Sequence, residues 1–212
     1  MATGVAVAPA SVNLEALLSL DIGAWDEAPE TSVSLTPTPL ERQPSAYVQT
    51  AWRDRQRSGV GKLTVQALNS TEVLGIRLEW AVPQPRHLID DINVYADACA
   101  VLFPADGRTA EFATMGSEDA PIVGWYWRAG ADQAFSISAR GIGTVERDGT
   151  HALQTHGRWS NGRWQVVLGQ PLPMAFDCHA AVPVAFAVWQ GADSERAGLK
   201  SYSLDPIELR FA

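Results

Sequence analysis

Cysteine is scarce in this chain: 212 residues carry two, Cys99 and Cys178. That excludes a disulfide framework and a four-thiolate metal cluster. One bridge between them would suit an oxidising compartment, but Cys99 sits in the apolar run ADACAVLFP, where a buried thiol is the commoner state. Positive charge is short as well. Sixteen Lys and Arg against 24 Asp and Glu leave a net charge of −8, and no basic run appears. A nucleic-acid or anionic-membrane partner is excluded, because phosphate binding needs a basic face. No apolar stretch approaches the roughly 18 residues of a membrane span. The opening MATGVAVAPASV lacks the charged and apolar regions of a secretory signal. The chain is therefore expected to be cytoplasmic, or an exported form whose signal is removed or borrowed.

Catalytic signatures are missing too. There is no G-x-S-x-G elbow for a serine hydrolase, and no P-loop or dinucleotide fingerprint follows a strand. GVGK at Gly59 to Lys62 is too short for one. The four histidines, His87, His151, His156 and His179, are scattered. His151 and His156 stand five apart, on opposite faces of a strand, which makes a poor metal pair. Asp90 and Asp91 have no spaced set of further oxygen ligands for a hard cation and read as a solvated loop.

What the chain has is β pattern and tryptophan. Residues 1–45 are rich in Pro, Ala, Thr and Ser; Pro37, Pro39 and Pro44 predict an extended edge or wrapping arm that contacts a partner. Within it a short helix at Asn13 to Ser19 and a strand at Thr31 to Pro37 are expected. KLTVQAL and EVLGIRLEWAV alternate apolar and polar residues around LNST and predict a hairpin. Asn161-Gly162, between two Arg-Trp pairs, is a stronger hairpin signal. In IVGWYWRA, Trp125 and Trp127 share one face of a strand and Tyr126 and Arg128 the other. VPVAFAVWQG reads as a buried strand, followed by a polar loop with Lys200 in GLKSYS and a closing strand IELRFA. The expectation is one domain over residues 1–212, mainly β, an antiparallel β-sandwich of roughly ten strands with few short helices. Eight tryptophans fit a core or the walls of a ligand slot equally. On these grounds binding or scaffolding ranks above catalysis.

Several segments also resemble a known family. TMG followed by GWYWRA, the run YADACAVLFP, the opening DIGAWDEAPETSVSLTPTPL and above all VAFAVWQGADSERAGLKSYS are similar to the gamma subunits of type II dimethyl-sulfoxide-reductase-family molybdenum enzymes. Ethylbenzene, dimethylsulfide and steroid side-chain dehydrogenases and selenate and chlorate reductases belong to that family, and the ethylbenzene dehydrogenase gamma subunit is the nearest in pattern. The resemblance spans almost the whole chain.

It implies a β-sandwich carrying one haem b with methionine and lysine as axial ligands: Met115 of TMG and Lys200 of KSYS. Without a C-x-x-C-H pattern, such a haem would be held non-covalently. A thioether is a soft ligand that favours reduced iron; an amine binds iron only when deprotonated, so the site must lower its pKa. Trp125, Trp127, Trp189 and Tyr202 are candidates for the pocket wall, and Arg128, Arg196 and Ser201 for the propionates. Met174 and His156 are competing ligands. The implied role is electron transfer between the iron-sulfur beta subunit of a heterotrimer, wired to a molybdopterin alpha subunit, and a soluble carrier such as a cytochrome c, in the periplasm. From residues alone, the competing reading is a carbohydrate- or ligand-binding β-sandwich module without haem.

Overall fold

Patterned runs become strands where alternate side chains find an apolar surface to meet. The computed structural model describes residues 4–54, 59–89, 94–106, 111–131, 133–148, 152–174, 180–205 and 207–211. In chain order it contains β1 (Gly4–Pro9), α1 (Leu14–Leu18), α2 (Gly23–Glu27), β2 (Thr31–Ser34), β3 (Thr36–Pro37) and α3 (Ala46–Trp52). There follow β4 (Lys62–Asn69), β5 (Val73–Ala81), β6 (Ala98–Pro104), β7 (Ile122–Arg128), β8 (Phe135–Ala139) and β9 (Glu146–Asp148). The last are β10 (Gln154–Ser160), β11 (Arg163–Pro171), β12 (Val182–Trp189), β13 (Ser201–Tyr202) and β14 (Ile207–Phe211).

The strands hydrogen-bond in one path, β10-β11-β5-β4-β1-β14-β12-β6-β7-β8-β9. That path is folded back on itself at β12. Val182 to Val184 pair with β14, whereas Ala185 to Trp189 pair with β6, so one strand belongs to both layers. Trp80 of β5 and Trp127 of β7 are far apart along the path, yet their rings lie 6.2 Å apart, as in two sheets packed face to face. Between the layers lies the main core, with Val65, Leu78, Trp80, Val101, Phe103 and Phe186 fully buried. Each such side chain contributes roughly 1.5–3 kcal/mol relative to exposure. Two smaller clusters cover the outer faces. One packs Leu17 and Trp25 of α1 and α2 on Leu68, Val73 and Val167; the other joins Ala100, Leu102, Ile122, Ile137, Ala185 and Tyr202 on the opposite face of the second layer.

The mainly β, sandwich-like architecture is as the sequence predicts, and both hairpins form: β4 with β5 and β10 with β11. Asn161 and Gly162 adopt φ of 51° and 77°, the left-handed pair that a two-residue hairpin requires. Two features differ. The described strands number 14, because β3, β9 and β13 are two or three residues long, too short to leave a pattern. The first strand of the N-terminal segment also does not lie at an edge. β1 lies between β4 and β14 and runs parallel to both, so the sheet is mixed rather than purely antiparallel. The run GVAVAP buries Val5 and Val7, but its outward residues are small rather than polar, which hides the alternation. Among the described residues no helix is long and apolar enough to cross a membrane.

Candidate functional site

On the outer face of the second layer, β6, β7 and β12 form the floor of a cavity of about 530 Å³. Small residues make the room: Ala96, Ala98 and Ala113 line it beside Tyr126, Ile137 and Trp189. Tyr126 and Arg128 reach the cavity because Trp125 and Trp127, their neighbours on β7, turn into the inner core. The Tyr126 ring meets Trp189 edge-on at 5.5 Å. Burial pushes its hydroxyl pKa up, Arg128 opposes this, buried Cys99 adds to it and Arg147 opposes it.

Two loops supply the chemistry. Met115 ends the 3-10 turn Phe112–Thr114 in the left-handed region, at φ 60° and ψ 38°. Few non-glycine residues sit there, and such a conformation persists only where its surroundings enforce it. Here the Met115 N–H donates to the Phe112 carbonyl at 3.1 Å, and its own carbonyl accepts from Gly141 N–H at 3.0 Å. Gly116 follows at φ +78°, where an added Cβ would stand 2.8 Å from the Ala120 carbonyl oxygen.

Lys200 is presented from the opposite side by the loop between β12 and β13. The proline-rich segment straps this loop down. Thr38 donates its N–H and hydroxyl to the Lys200 carbonyl at 2.8 and 3.0 Å, and Gln43 Nε2 donates to the Gly198 carbonyl at 2.9 Å. Trp189 Nε1 donates to the Ala197 carbonyl at 3.0 Å. Held this way, Lys200 Nζ stands 3.4 Å from Met115 Sδ and 5.3 Å from the centre of the Trp189 ring. Burial of the amine lowers its pKa from 10.5 to about 8. A thioether and a readily neutralised amine thus face each other, 85 residues apart in sequence.

The rim is cationic. Among the described residues, Arg42, Arg128, Arg147 and Arg196 line the cavity against one carboxyl side chain, Glu195. Arg147 lies over the Phe135 ring at 4.4 Å, Arg196 lies over Tyr95 and contacts its hydroxyl, and the buried Nε of Arg128 has no hydrogen-bond partner among the described residues. In a chain of net charge −8, four arginines around one apolar cavity suit a ligand with anionic groups.

Of the residues singled out in the sequence, Met115, Lys200, Trp189, Arg128 and Arg196 meet in this cavity. Trp125 and Trp127 do not: they are 3% and 4% exposed and belong to the core between the layers. Trp127, Trp80 and Trp164 pack as a cluster there, with His87 edge-on to Trp164 at 5.1 Å. Tyr202 joins the apolar cluster beneath Met115 without lining the cavity. The Ser201 hydroxyl is buried and accepts from Val60 N–H at 3.0 Å. Met174 packs on the inner core, and His156 pairs with Val167 in the hairpin. Cys99 is a buried free thiol whose pKa burial raises; Cys178, His151, His179, Asp90 and Asp91 lie outside the described residues. Sequence reasoning missed Tyr95, Arg42 and Arg147. Tyr126 was on the page as the partner face of Trp125 and Trp127, and following that two-residue period would have found it.

Fold and site together define a β-sandwich-like domain with a thioether–amine pair inside an arginine-rimmed apolar cavity. Residues 23–151 match the ethylbenzene dehydrogenase family, well over half the chain and including Met115, and the chain belongs to that family. It is 30% identical over 195 residues to the chlorate reductase subunit gamma of Ideonella dechloratans, covering 88% of this chain and 77% of that one. It is 27% identical to the dimethylsulfide dehydrogenase subunit gamma of Rhodovulum sulfidophilum over 88% of this chain and 72% of that one. A Haloferax mediterranei protein, named as a candidate heme subunit of a respiratory nitrate reductase, is 31% identical over 82% of this chain and 64% of its own length. Among solved structures, a family 9 carbohydrate-binding module from Caldicellulosiruptor kristjanssonii in complex with glucose superposes with a TM-score of 0.57 over 99% of this chain and 97% of that one. At 8% identity this likeness concerns the fold alone.

Proposed function

We propose that the chain is the haem-carrying electron-transfer subunit of a molybdenum oxidoreductase complex, binding one haem b between Met115 and Lys200. The observation that carries the reading is the facing pair, Nζ to Sδ at 3.4 Å, inside a cavity with an apolar floor and a cationic rim. Haem would supply reversible one-electron chemistry when bound, with Met115 and Lys200 as the residues that would hold its iron. Both side chains are unbranched and flexible, so Nζ and Sδ, now 3.4 Å apart, would be able to separate to hold the group between them. Arg128, Arg147, Arg42 and Arg196 line the cavity and would receive the two carboxylates of the macrocycle. Lys200 contributes in a second way: its lowered pKa makes the ligating neutral form accessible near neutral pH.

The names of the relatives support a wider assembly. Two are named as gamma subunits, one of a reductase and one of a dehydrogenase, so the direction of electron flow belongs to the partner that holds the substrate. In the proposed complex this chain exchanges electrons with an iron-sulfur subunit joined to the molybdopterin subunit, and with a soluble carrier at the cavity mouth. A periplasmic location belongs to the same proposal and is supported by the family resemblance.

Absorbance of the purified chain or complex tests the reading. One haem per chain is expected, with bands that sharpen on reduction. Met115→Ala and Lys200→Ala should each change the spectrum and potential, and weaken haem retention about tenfold or more, with little change in far-UV circular dichroism. A spectrum that neither substitution alters reassigns the ligands. Absence of haem from every preparation sinks the proposal and leaves the carbohydrate-binding reading, which glucose and cellotriose titrations would then decide.

A further inference from the structure

We infer that Asp97 is the positioning residue of the Lys200 loop, fastening the start of that loop to the inner core of the sandwich. The contact stands on this chain alone; its consequence for the iron rests on the haem reading above. Asp97 immediately precedes β6 in the run YADACAVLFP and is fully buried. Its neighbours Ala96 and Ala98 line the cavity, so by alternation the Asp97 side chain lies behind the cavity wall. There its carboxyl oxygens accept three N–H groups, each at 2.8 Å. Oδ1 takes Gly191 N–H, and Oδ2 takes Arg86 N–H and Trp164 Nε1–H. The backbone adds to this, Asp97 N–H donating to the Arg86 carbonyl and Ala129 N–H to the Asp97 carbonyl. One side chain therefore joins the segment after β5, the tryptophan cluster of the inner core, and the first residue of the turn Gly191–Asp193 that begins the lysine loop.

A second observation points the same way. Gly191 is so close to the strand that an added Cβ would stand 1.9 Å from the Tyr95 carbonyl oxygen. Only glycine permits that approach. From this fixed point the loop continues through Glu195, whose N–H and Oε2 bond back to Gln190, and Arg196, which contacts the Tyr95 hydroxyl. The strap of Thr38 and Gln43 holds the far end. Without the Asp97 contact the near end of the loop, and with it the direction of Lys200, loses its tie to the core.

Asp97→Asn is the informative change, because an amide has one accepting oxygen where the carboxyl has two. That oxygen best serves the Arg86 and Trp164 donors together, which leaves the amide NH₂ facing the Gly191 N–H, donor against donor. Gly191 is the contact released. Hydrogen exchange on the haem-free chain should then accelerate about tenfold or more at Gly191 and through residues 193–199, with protection of β4 and β5 unchanged. Gly191→Ala breaks the same contact from the other side and should give the same map. Trp164→Phe removes a different donor, and should lower stability while leaving the loop protected. In the haem-loaded chain, Asp97→Asn should move the spectrum toward that of Lys200→Ala. Exchange that rises evenly along the chain, a loop that stays protected, or a Trp164→Phe variant that loosens the loop equally would overturn the assignment. If Asp97→Asn does not fold, Gly191→Ala decides by the same criterion. If the wild-type chain holds no haem, the exchange results still decide for Asp97 and the functional reading alone falls.

Discussion

An amine confined beside a thioether makes the free chain's stability depend on pH in a window that identifies the residue. Lys200 titrates at about 8 in the folded chain against an ordinary 10.5. Below pH 8 both folded and unfolded chains carry the proton, and the full penalty for burying charge is present. Between 8 and 10.5 the unfolded chain holds the proton and the folded chain does not, so stability rises with pH. Above 10.5 both are neutral and the penalty is gone. The difference between the two values corresponds to an effect on the order of 3 kcal/mol. Chemical denaturation of haem-free wild type and Lys200→Met across pH 7 to 11 checks this: the substitution should stabilise at pH 7 and remove the rise that wild type shows above pH 8. Equal slopes in the two chains would mean that the amine is solvated. Burial of the amine also sets the acid limit of the proposed ligation. Below pH 8 the proton competes for Nζ, and haem retention should fall about tenfold per pH unit wherever the lysine bond dominates it.

At the scale of elements, legibility follows the contrast between a strand's two faces. β4, β5, β10 and β11 show their alternation or their Asn-Gly turn, and each is where the pattern puts it. β1 hides because its outward residues are small rather than polar: Val5 and Val7 meet the inner core, while Ala6 is exposed and Ala8 only partly covered by the helices. The prolines at 37, 39 and 44 signal an edge correctly at β3, which pairs with β13, but nothing in them announces that this edge straps the lysine loop. Tryptophan misleads for a related reason. An aromatic side chain serves a core and a cofactor wall equally well, and period-two alternation, not residue type, decides between Trp127 inside and Tyr126 outside. The central placement of β1 carries its own prediction. Removing residues 1–10 exposes the edges of β4 and β14, each a row of backbone groups that lose their partners, and edges of that kind seek other chains. The truncated chain should aggregate or unfold without a cooperative transition in circular dichroism and light scattering. A soluble, cooperatively folded truncation would show that β1 is dispensable and that β4 and β14 pair directly.

For the molecule as a whole, the sandwich separates support from function by layer. The inner core and the helix-covered outer face of the first layer make the domain, and the outer face of the second layer carries the cavity. That Met115 and Lys200 come close in space was legible through the resemblance. The arginine rim was not, because its members come from four separate segments that meet only in three dimensions. This division predicts how ligand binding should be distributed. A group bound by the folded chain alone stabilises it by mass action, about 2.7 kcal/mol at a hundredfold excess over Kd, or roughly 5–10 °C in melting temperature for a chain of this size. The protection should not be uniform. Haem should slow hydrogen exchange most in the loops around Met115 and Lys200 and in the turn at Gly141, whose amide bonds Met115. Helices α1 and α2, on the opposite outer face, should gain no more than the global increment. Met115→Ala and Lys200→Ala should each lose most of the thermal gain, while Arg147→Gln, at the rim, should lose a smaller part. A gain spread evenly, or one concentrated on α1 and α2, would place the ligand elsewhere on the sandwich, because stabilisation beyond the global term appears only where the bound group restrains local opening.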